Sequence, residues 1–83
     1  MLITEQIRAA RMLLDWTQAD LAAHSELALG TLKRLEAKSG PIGGNAETVW
    51  KIQAALEKAG VTFISGDATN GPGVRLAQPY QRN

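Results

Sequence analysis

The side chains best placed for binding chemistry are Lys33 and Arg34, two long cations that are neighbours in the sequence. Leu32 and Leu35 recur at helical spacing and mark the buried side of a predicted helix, which leaves the two cations on its outer side. A solvated surface is the simpler explanation of such residues. Exposed cations gathered on one helix face are also typical of nucleic-acid contacts, and for Arg34 we favour that role.

No group of residues suited to catalysis accompanies these cations. The chain has no cysteine and a single histidine, His24, which we expect to be exposed in a turn. Asp15 and Asp20 fall at predicted helix ends, where acidic residues are common, rather than forming a catalytic pair. Without a nucleophile, a base or a set of metal ligands, we expect no enzyme activity, no metal site and no cofactor.

Two short predicted helices position Lys33 and Arg34. The first begins after Thr17, whose side chain can cap it, with Asp20 completing a capping box and Trp16 packing on Leu21. It ends near residue 23, residues 24–27 form the predicted turn, and the second helix covers about 28–37. Two short helices joined by a tight turn form a helix-turn-helix, whose second helix is shaped to enter the DNA major groove.

Three further elements surround this pair. Apolar residues at helical spacing predict a helix over residues 4–14 with Thr4 as N-cap, and another over 46–59 with Asn45 as N-cap. After Gly60 the pattern changes to β-branched and alternating residues, which predicts a β-hairpin of residues 61–64 and 74–77. The expected core side chains of the two helices are Ile3, Ile7, Ala10, Leu14, Val49, Ile52 and Leu56, with Trp50 and Ala55 at the margin.

The overall composition is that of one small globular domain. The chain has 83 residues, 45% of them hydrophobic and 20% charged, with a formal net charge of +1. That charge is only weak support for a nucleic-acid partner, because a strongly basic domain would be better evidence. No apolar run approaches the roughly 20 residues of a membrane span and no signal peptide is evident. We therefore expect a cytoplasmic protein with no membrane contact.

Residues 4–59 resemble the XRE or Cro/cI-like helix-turn-helix regulators, which include phage repressors and restriction-modification controller proteins. The similarity rests on a set of motifs rather than on any single one. They are Trp16-Thr17-Gln18-x-x-Leu21-Ala22, Leu27, Thr31-Leu32-x-x-Leu35-Glu36 and Thr48-Val49-x-Lys51-Ile52-x-x-Ala55-Leu56. The resemblance implies a mainly α, four-helix, lambda-repressor-like DNA-binding domain in residues 1–60. Residues 61–83 then form a short C-terminal hairpin or a pair of dimerising strands.

The resemblance also implies roles for individual residues. The positions expected to face base edges are Leu29, Gly30, Lys33 and Arg34. Arg34 is the strongest candidate, because its guanidinium matches the paired O6 and N7 acceptors of guanine. The glycine could permit close approach of the helix backbone to DNA. The expected phosphate contacts at family positions are Gln18, Thr31, Lys38 and Asn45, and Glu36 is expected to be structural. Arg11 and Thr17 are further expected phosphate contacts, and for Arg11 a solvated surface position is an equal alternative.

This chain departs from the family pattern at three places. Glu26 stands where a turn glycine is usual, and Ala28 stands where a serine or threonine N-cap is usual. Many relatives also continue into a fifth, dimerising helix, whereas this chain changes to strands after Gly60.

We expect a homodimer, because a two-fold assembly doubles the contacts of one recognition helix and reads a palindrome. The apolar tail and the outer side of the last helix are the expected dimer contacts, namely Trp50, Val61, Phe63, Ile64, Val74 and Leu76. The sequence thus predicts a homodimeric DNA-binding transcriptional regulator, autoregulatory and acting as a repressor or an activator. The alternative is an antitoxin or protein-interaction module of a toxin-antitoxin pair. With no second domain, no small-molecule effector is expected.

Overall fold

Four helices and one β-hairpin make up residues 1–80, the part of the chain that this computed structural model describes. About half of these residues are helical, and the last three of the predicted tail, 81–83, lie outside the described part. The elements in chain order are α1 (Thr4–Leu14), α2 (Gln18–His24), α3 (Leu29–Glu36), α4 (Ala46–Lys58), β1 (Val61–Ile64) and β2 (Gly73–Leu76). The mainly α architecture with a terminal hairpin agrees with the sequence prediction.

The N-terminus of α1 differs from the prediction. The N-cap residue is Ile3, and Thr4 is instead the first residue of the helix, with a buried side chain. Gln6 replaces the missing cap in part, because its Oε1 accepts a hydrogen bond of 2.9 Å from the Ile3 amide. Position 4 is fully buried and its amide donates to the Gly40 carbonyl oxygen in the loop after α3, and this tertiary packing outweighs the local capping preference of threonine.

Side-chain caps begin α2 and α4, the other two helices for which a cap was predicted, as expected. Thr17 Oγ1 accepts from the Asp20 amide at 3.0 Å, and Asp20 returns the bond to the Thr17 amide at 2.9 Å. Asn45 Oδ1 accepts from the Thr48 amide at 2.8 Å. Each cap satisfies an amide that the first helical turn leaves without a partner, which is why the helices begin there. At its other end α2 includes His24 and so extends one residue further than expected.

The hairpin packs on α1 and α4 instead of projecting from the helices. Its strands pair antiparallel, with Val61 opposite Leu76 and Ile64 opposite Gly73. Gln6 on α1 fastens the far end, since its Nε2 donates to the carbonyl oxygens of Ile64 at 3.2 Å and Gly73 at 3.0 Å. Two strands alone are marginal in water, so this support explains how the hairpin is held.

One apolar core joins the helices and the hairpin. Its fully buried members are Ile7, Ala10, Leu21, Ala22, Leu32, Ile52, Leu56 and Val61. Because β1 supplies Val61, the tail shares a core with residues 1–60. Trp50 does not extend this core, as its side chain is 68% exposed. In residues 1–80, no helix combines the length and the apolar character needed to cross a membrane.

Candidate nucleic-acid interface

The turn between α2 and α3 closes through the backbone. Ser25 ends α2 as its C-cap, and the Leu27 amide donates to the Ala22 carbonyl oxygen at 2.9 Å. Glu26 in this turn has a φ of +58°. That left-handed conformation costs a residue with a Cβ free energy that glycine would not lose. The half-buried Leu27 side chain packs against the core beneath the turn.

The outer face of α3 carries two cations and no acid. Leu29, Gly30, Lys33 and Arg34 are all exposed, while Leu32 on the opposite side is fully buried. The one acidic residue of α3, Glu36, is also buried. The structure therefore brings the four predicted base-reading residues together on one accessible face.

Beneath this face, the Glu36 carboxylate ties α3 to both preceding helices. Arg11 on α1 donates from Nη2 to Glu36 Oε1 at 2.7 Å and from Nε to Oε2 at 2.9 Å. Gln18 at the start of α2 donates to the same Oε1 at 3.2 Å. Such a bidentate pair fixes both distance and orientation. The recognition-like helix α3 is thus held rigidly relative to α1 and α2.

This network gives Arg11 partners within the protein. The sequence predicted a phosphate contact there, but the Arg11 side chain is only 14% exposed, and the remaining guanidinium nitrogen, Nη1, donates to the Trp16 carbonyl oxygen at 3.1 Å. Three donors of Arg11 are therefore committed within the protein, and we assign it a positioning role. Sequence reasoning treated Glu36 as structural but gave it no partner, because Arg11 lies 25 residues away.

The other predicted phosphate contacts lie at the start of α2, on α3 and in the loop between α3 and α4. Lys38 and Asn45 are exposed in the loop between α3 and α4, Thr17 is exposed at the start of α2, and Thr31 and Gln18 are half-buried. Lys38 is the cation of this group. Its loop is fastened to the N-terminus of the chain, since Thr4 donates to the Gly40 carbonyl oxygen at 2.8 Å and Gly40 donates to Glu5 Oε1 at 3.0 Å.

That fastening also acts on the Glu5 carboxyl. The backbone hydrogen bond from Gly40 holds the pKa of Glu5 below its ordinary value, and the nearby Arg8 guanidinium acts in the same direction. Arg8 itself donates to the Glu36 carbonyl oxygen at 2.6 Å, which caps the last turn of α3. The N-terminal segment therefore positions both the end of α3 and the loop that follows it.

Comparison with protein-family models and with curated proteins gave no match to this chain. We therefore infer function from the geometry of α2 and α3 and from the chemistry of their exposed side chains.

The residues predicted as dimer contacts divide into two groups. Strand alternation places Val61, Phe63, Val74 and Leu76 on the face of the hairpin turned towards the helices. Val61 is 2% exposed, and Phe63 and Val74 pack against the core. Val61 is therefore inaccessible to a partner, whereas Phe63, Val74 and Leu76 are half-buried, and their part in a dimer stays a prediction. Trp50 and Ile64 remain exposed.

Sequence analysis did not anticipate a groove between α2 and α4. Trp16 and His24 stack face to face with ring centroids 4.2 Å apart. His24 and Lys58 line two pockets here, one shared with Trp16 and the other with Trp50. His24 is exposed, as predicted, but belongs to α2. Glu26 lines the pocket that includes Trp50 and Lys58 of α4.

Proposed function

We propose that this protein is a sequence-specific regulator of transcription that binds double-stranded DNA through α2 and α3 as a helix-turn-helix. The proposal includes a lambda-repressor-like fold of the XRE or Cro/cI-like class. The observation that carries it is the outer face of α3, which combines exposed Lys33 and Arg34 with no exposed acid. A rigid support beneath the face favours binding, because the helix need not be ordered when it meets DNA.

Each exposed group on this surface has a distinct proposed task. Arg34 reads a guanine through its O6 and N7 acceptors, and Lys33 contacts a neighbouring base or phosphate. Contacts to the phosphate backbone fix the position of α3 in the groove but carry no sequence information. We assign these contacts to Thr17, Gln18, Thr31, Lys38 and Asn45.

The proposed active form is a homodimer on palindromic operators, one of which lies in the promoter of the protein's own gene. Half-sites about 34 Å apart, or a multiple of this spacing, would let two α3 helices enter successive major grooves. Trp50 and Ile64 support an association surface, since they are 68% and 39% exposed large apolar side chains. Burial of such side chains against a second copy stabilises a dimer.

The first test is selection of duplexes from a random library, followed by affinity measurements across a salt series. We expect a defined palindromic sequence whose affinity falls steeply with salt, because bound cations release counterions from DNA. Recovery of no preferred sequence would contradict the proposal.

The second test compares Arg34→Ala with Lys58→Ala. Both substitutions remove one exposed cation, but Lys58 lies in the last turn of α4, outside the proposed surface. We expect Arg34→Ala to cost about 1–3 kcal/mol of binding free energy and to relax preference at one base position. Lys58→Ala should leave the preferred sequence unchanged. An equal loss for Arg34→Ala on every sequence would show that Arg34 contacts phosphate instead of a base.

A further inference from the structure

Two residues at the start of α3, Ala28 and Gly30, are ones that the protein's own packing does not require. Gly30 has an ordinary negative-φ helical backbone, and a Cβ added there would meet nothing within 4 Å. Ala28, the N-cap, makes no side-chain hydrogen bond to the helix. Alanine at position 30 and serine or aspartate at position 28 would each suit a helix better. A locally unfavourable residue without a structural cause is typical of a functional surface.

Leu29 is the large apolar side chain in the first turn of α3. It is 38% exposed and lies on the same outer face as Gly30, Lys33 and Arg34. The open space over Gly30 therefore adjoins an apolar side chain on one side and two cations on the other. No acidic residue occupies the first turn of α3. This is a small apolar patch within a positively charged face.

The charge of the face and the apolar patch together select an occupant. Cations without acids complement DNA, and the apolar group that the major groove presents is the methyl group on C5 of a pyrimidine. We propose that Leu29 and the bare backbone at Gly30 form a binding site for a pyrimidine C5-methyl group. A side chain at position 30 would fill the space into which the methylated base edge must come. This inference rests on the proposed function and names the base chemistry that the same surface recognises.

The geometry of α3 also places this methyl group relative to the guanine assigned to Arg34. Gly30 and Arg34 are four residues apart, which is about 6 Å along the axis of an α-helix. Since base pairs are spaced by about 3.4 Å, the methylated pyrimidine lies within about two base pairs of that guanine. Thymine and 5-methylcytosine share this methyl group, and the experiment separates them.

The experiment uses the duplex selected above, altered one base at a time. In one arm each thymine is replaced by uracil, and in the other each cytosine is replaced by 5-methylcytosine. We expect one position per half-site where the methyl group strengthens binding by about fourfold, the effect of burying one methyl group. Weaker binding with uracil at a thymine position identifies thymine as the ligand. Stronger binding with 5-methylcytosine at a cytosine position identifies the methylated cytosine.

Two variants connect this effect to the protein. Leu29→Ala should abolish the difference between thymine and uracil at the responsive position. Leu13→Ala is the matched control, because Leu13 is a similarly exposed leucine (42%) on α1, and it should retain the full difference. Gly30→Ala should weaken DNA binding while raising the midpoint of thermal unfolding by about 4 °C, since the helix itself gains from alanine.

The outcomes separate this inference from the function on which it depends. If no duplex is selected, the proposed function fails and the inference fails with it. If a duplex is selected but no methyl group affects its binding, the inference alone is overturned. The same holds if Leu29→Ala keeps the full uracil effect, or if Gly30→Ala binds as tightly as the unaltered protein.

Discussion

At the scale of single residues, the buried Glu36 carboxylate does the most to fix the candidate interface. Its side chain is 2% exposed and accepts hydrogen bonds from Arg11 and Gln18, which belong to two other helices. A buried pair of this kind contributes little net stability compared with apolar residues of equal size. Breaking it by removing one partner is costly, however, because the other charge stays buried without compensation. The pair therefore determines geometry more than it determines stability.

We expect Glu36→Gln to lower the free energy of unfolding by about 3 kcal/mol, as for other broken buried ion pairs. Urea unfolding followed by circular dichroism measures this loss. The control is the double variant Arg11→Met with Glu36→Leu, which should be more stable than the summed losses of Arg11→Met alone and Glu36→Leu alone predict. Additive losses in that cycle would contradict a direct interaction between the two charges.

Glu26 gives a second prediction at this scale. Its φ of +58° is a conformation in which a Cβ is unfavourable, so Glu26→Gly should raise the free energy of unfolding by about 0.5–1 kcal/mol. Asp15, with a φ of +56°, is the matched control, since aspartate tolerates this region better than glutamate. Asp15→Gly should therefore give a smaller gain in urea unfolding, and an equal or larger gain would show that backbone strain at Glu26 is not the cause.

At the scale of elements, local signals predicted most boundaries, whereas contacts between elements were not predictable from sequence. The caps at Thr17 and Asn45 begin α2 and α4 because capping depends on residues three positions apart. The bonds from Gln6 to the hairpin connect residues separated by 58 and 67 positions. No local pattern carries that information. The inward orientation of Val61 likewise depends on which face of the hairpin meets α1 and α4.

Gln6 is the residue through which α1 controls the hairpin. Gln6→Ala removes the Nε2 hydrogen bonds to the Ile64 and Gly73 carbonyl oxygens, and we expect it to lower the free energy of unfolding by about 1–3 kcal/mol because two partly buried acceptors lose their partner. Amide hydrogen exchange should show faster exchange in β1 and β2 than in α4. Uniform acceleration across the whole protein would mean that the hairpin does not open separately.

We expect the stability of the protein to depend on pH through Glu5, which holds the loop between α3 and α4. Its pKa is lowered in the folded protein, so the ionised carboxylate stabilises the fold above the ordinary glutamate pKa, and this contribution is lost as pH falls through the lowered value. We expect the urea midpoint to fall on acidification and Glu5→Gln to reduce that fall. Asp67→Asn tests the hairpin loop in parallel, since backbone amides of Asn70 and Thr69 also lower the pKa of Asp67. A Glu5→Gln profile that matches the unaltered protein would exclude this contact as a source of the pH dependence.

At the scale of the whole molecule, the distribution of charge matters more than its sum. The formal net charge is only +1, yet the outer face of α3 and its following loop expose Lys33, Arg34 and Lys38. Folding achieves this by burying Glu36, while Glu26 lines a pocket together with Trp50 and Lys58 of α4. The sequence identified the residues of the candidate interface, but the removal of acids from its surface depends on tertiary structure.

The last prediction concerns association of two copies. The Trp50 side chain is 68% exposed on α4, and Ile64 is 39% exposed on the hairpin, away from the residues that the core buries. If Trp50 is buried between protomers, Trp50→Ala should weaken the dimer by about 2 kcal/mol or more, the usual effect of truncating a central aromatic contact. Sedimentation equilibrium at micromolar concentration measures this change. Met12→Ala on α1, where the side chain is 72% exposed, is the control and should leave association unchanged. A monomer that still binds a palindromic duplex tightly would contradict the dimer, because then one α3 helix alone would supply the affinity.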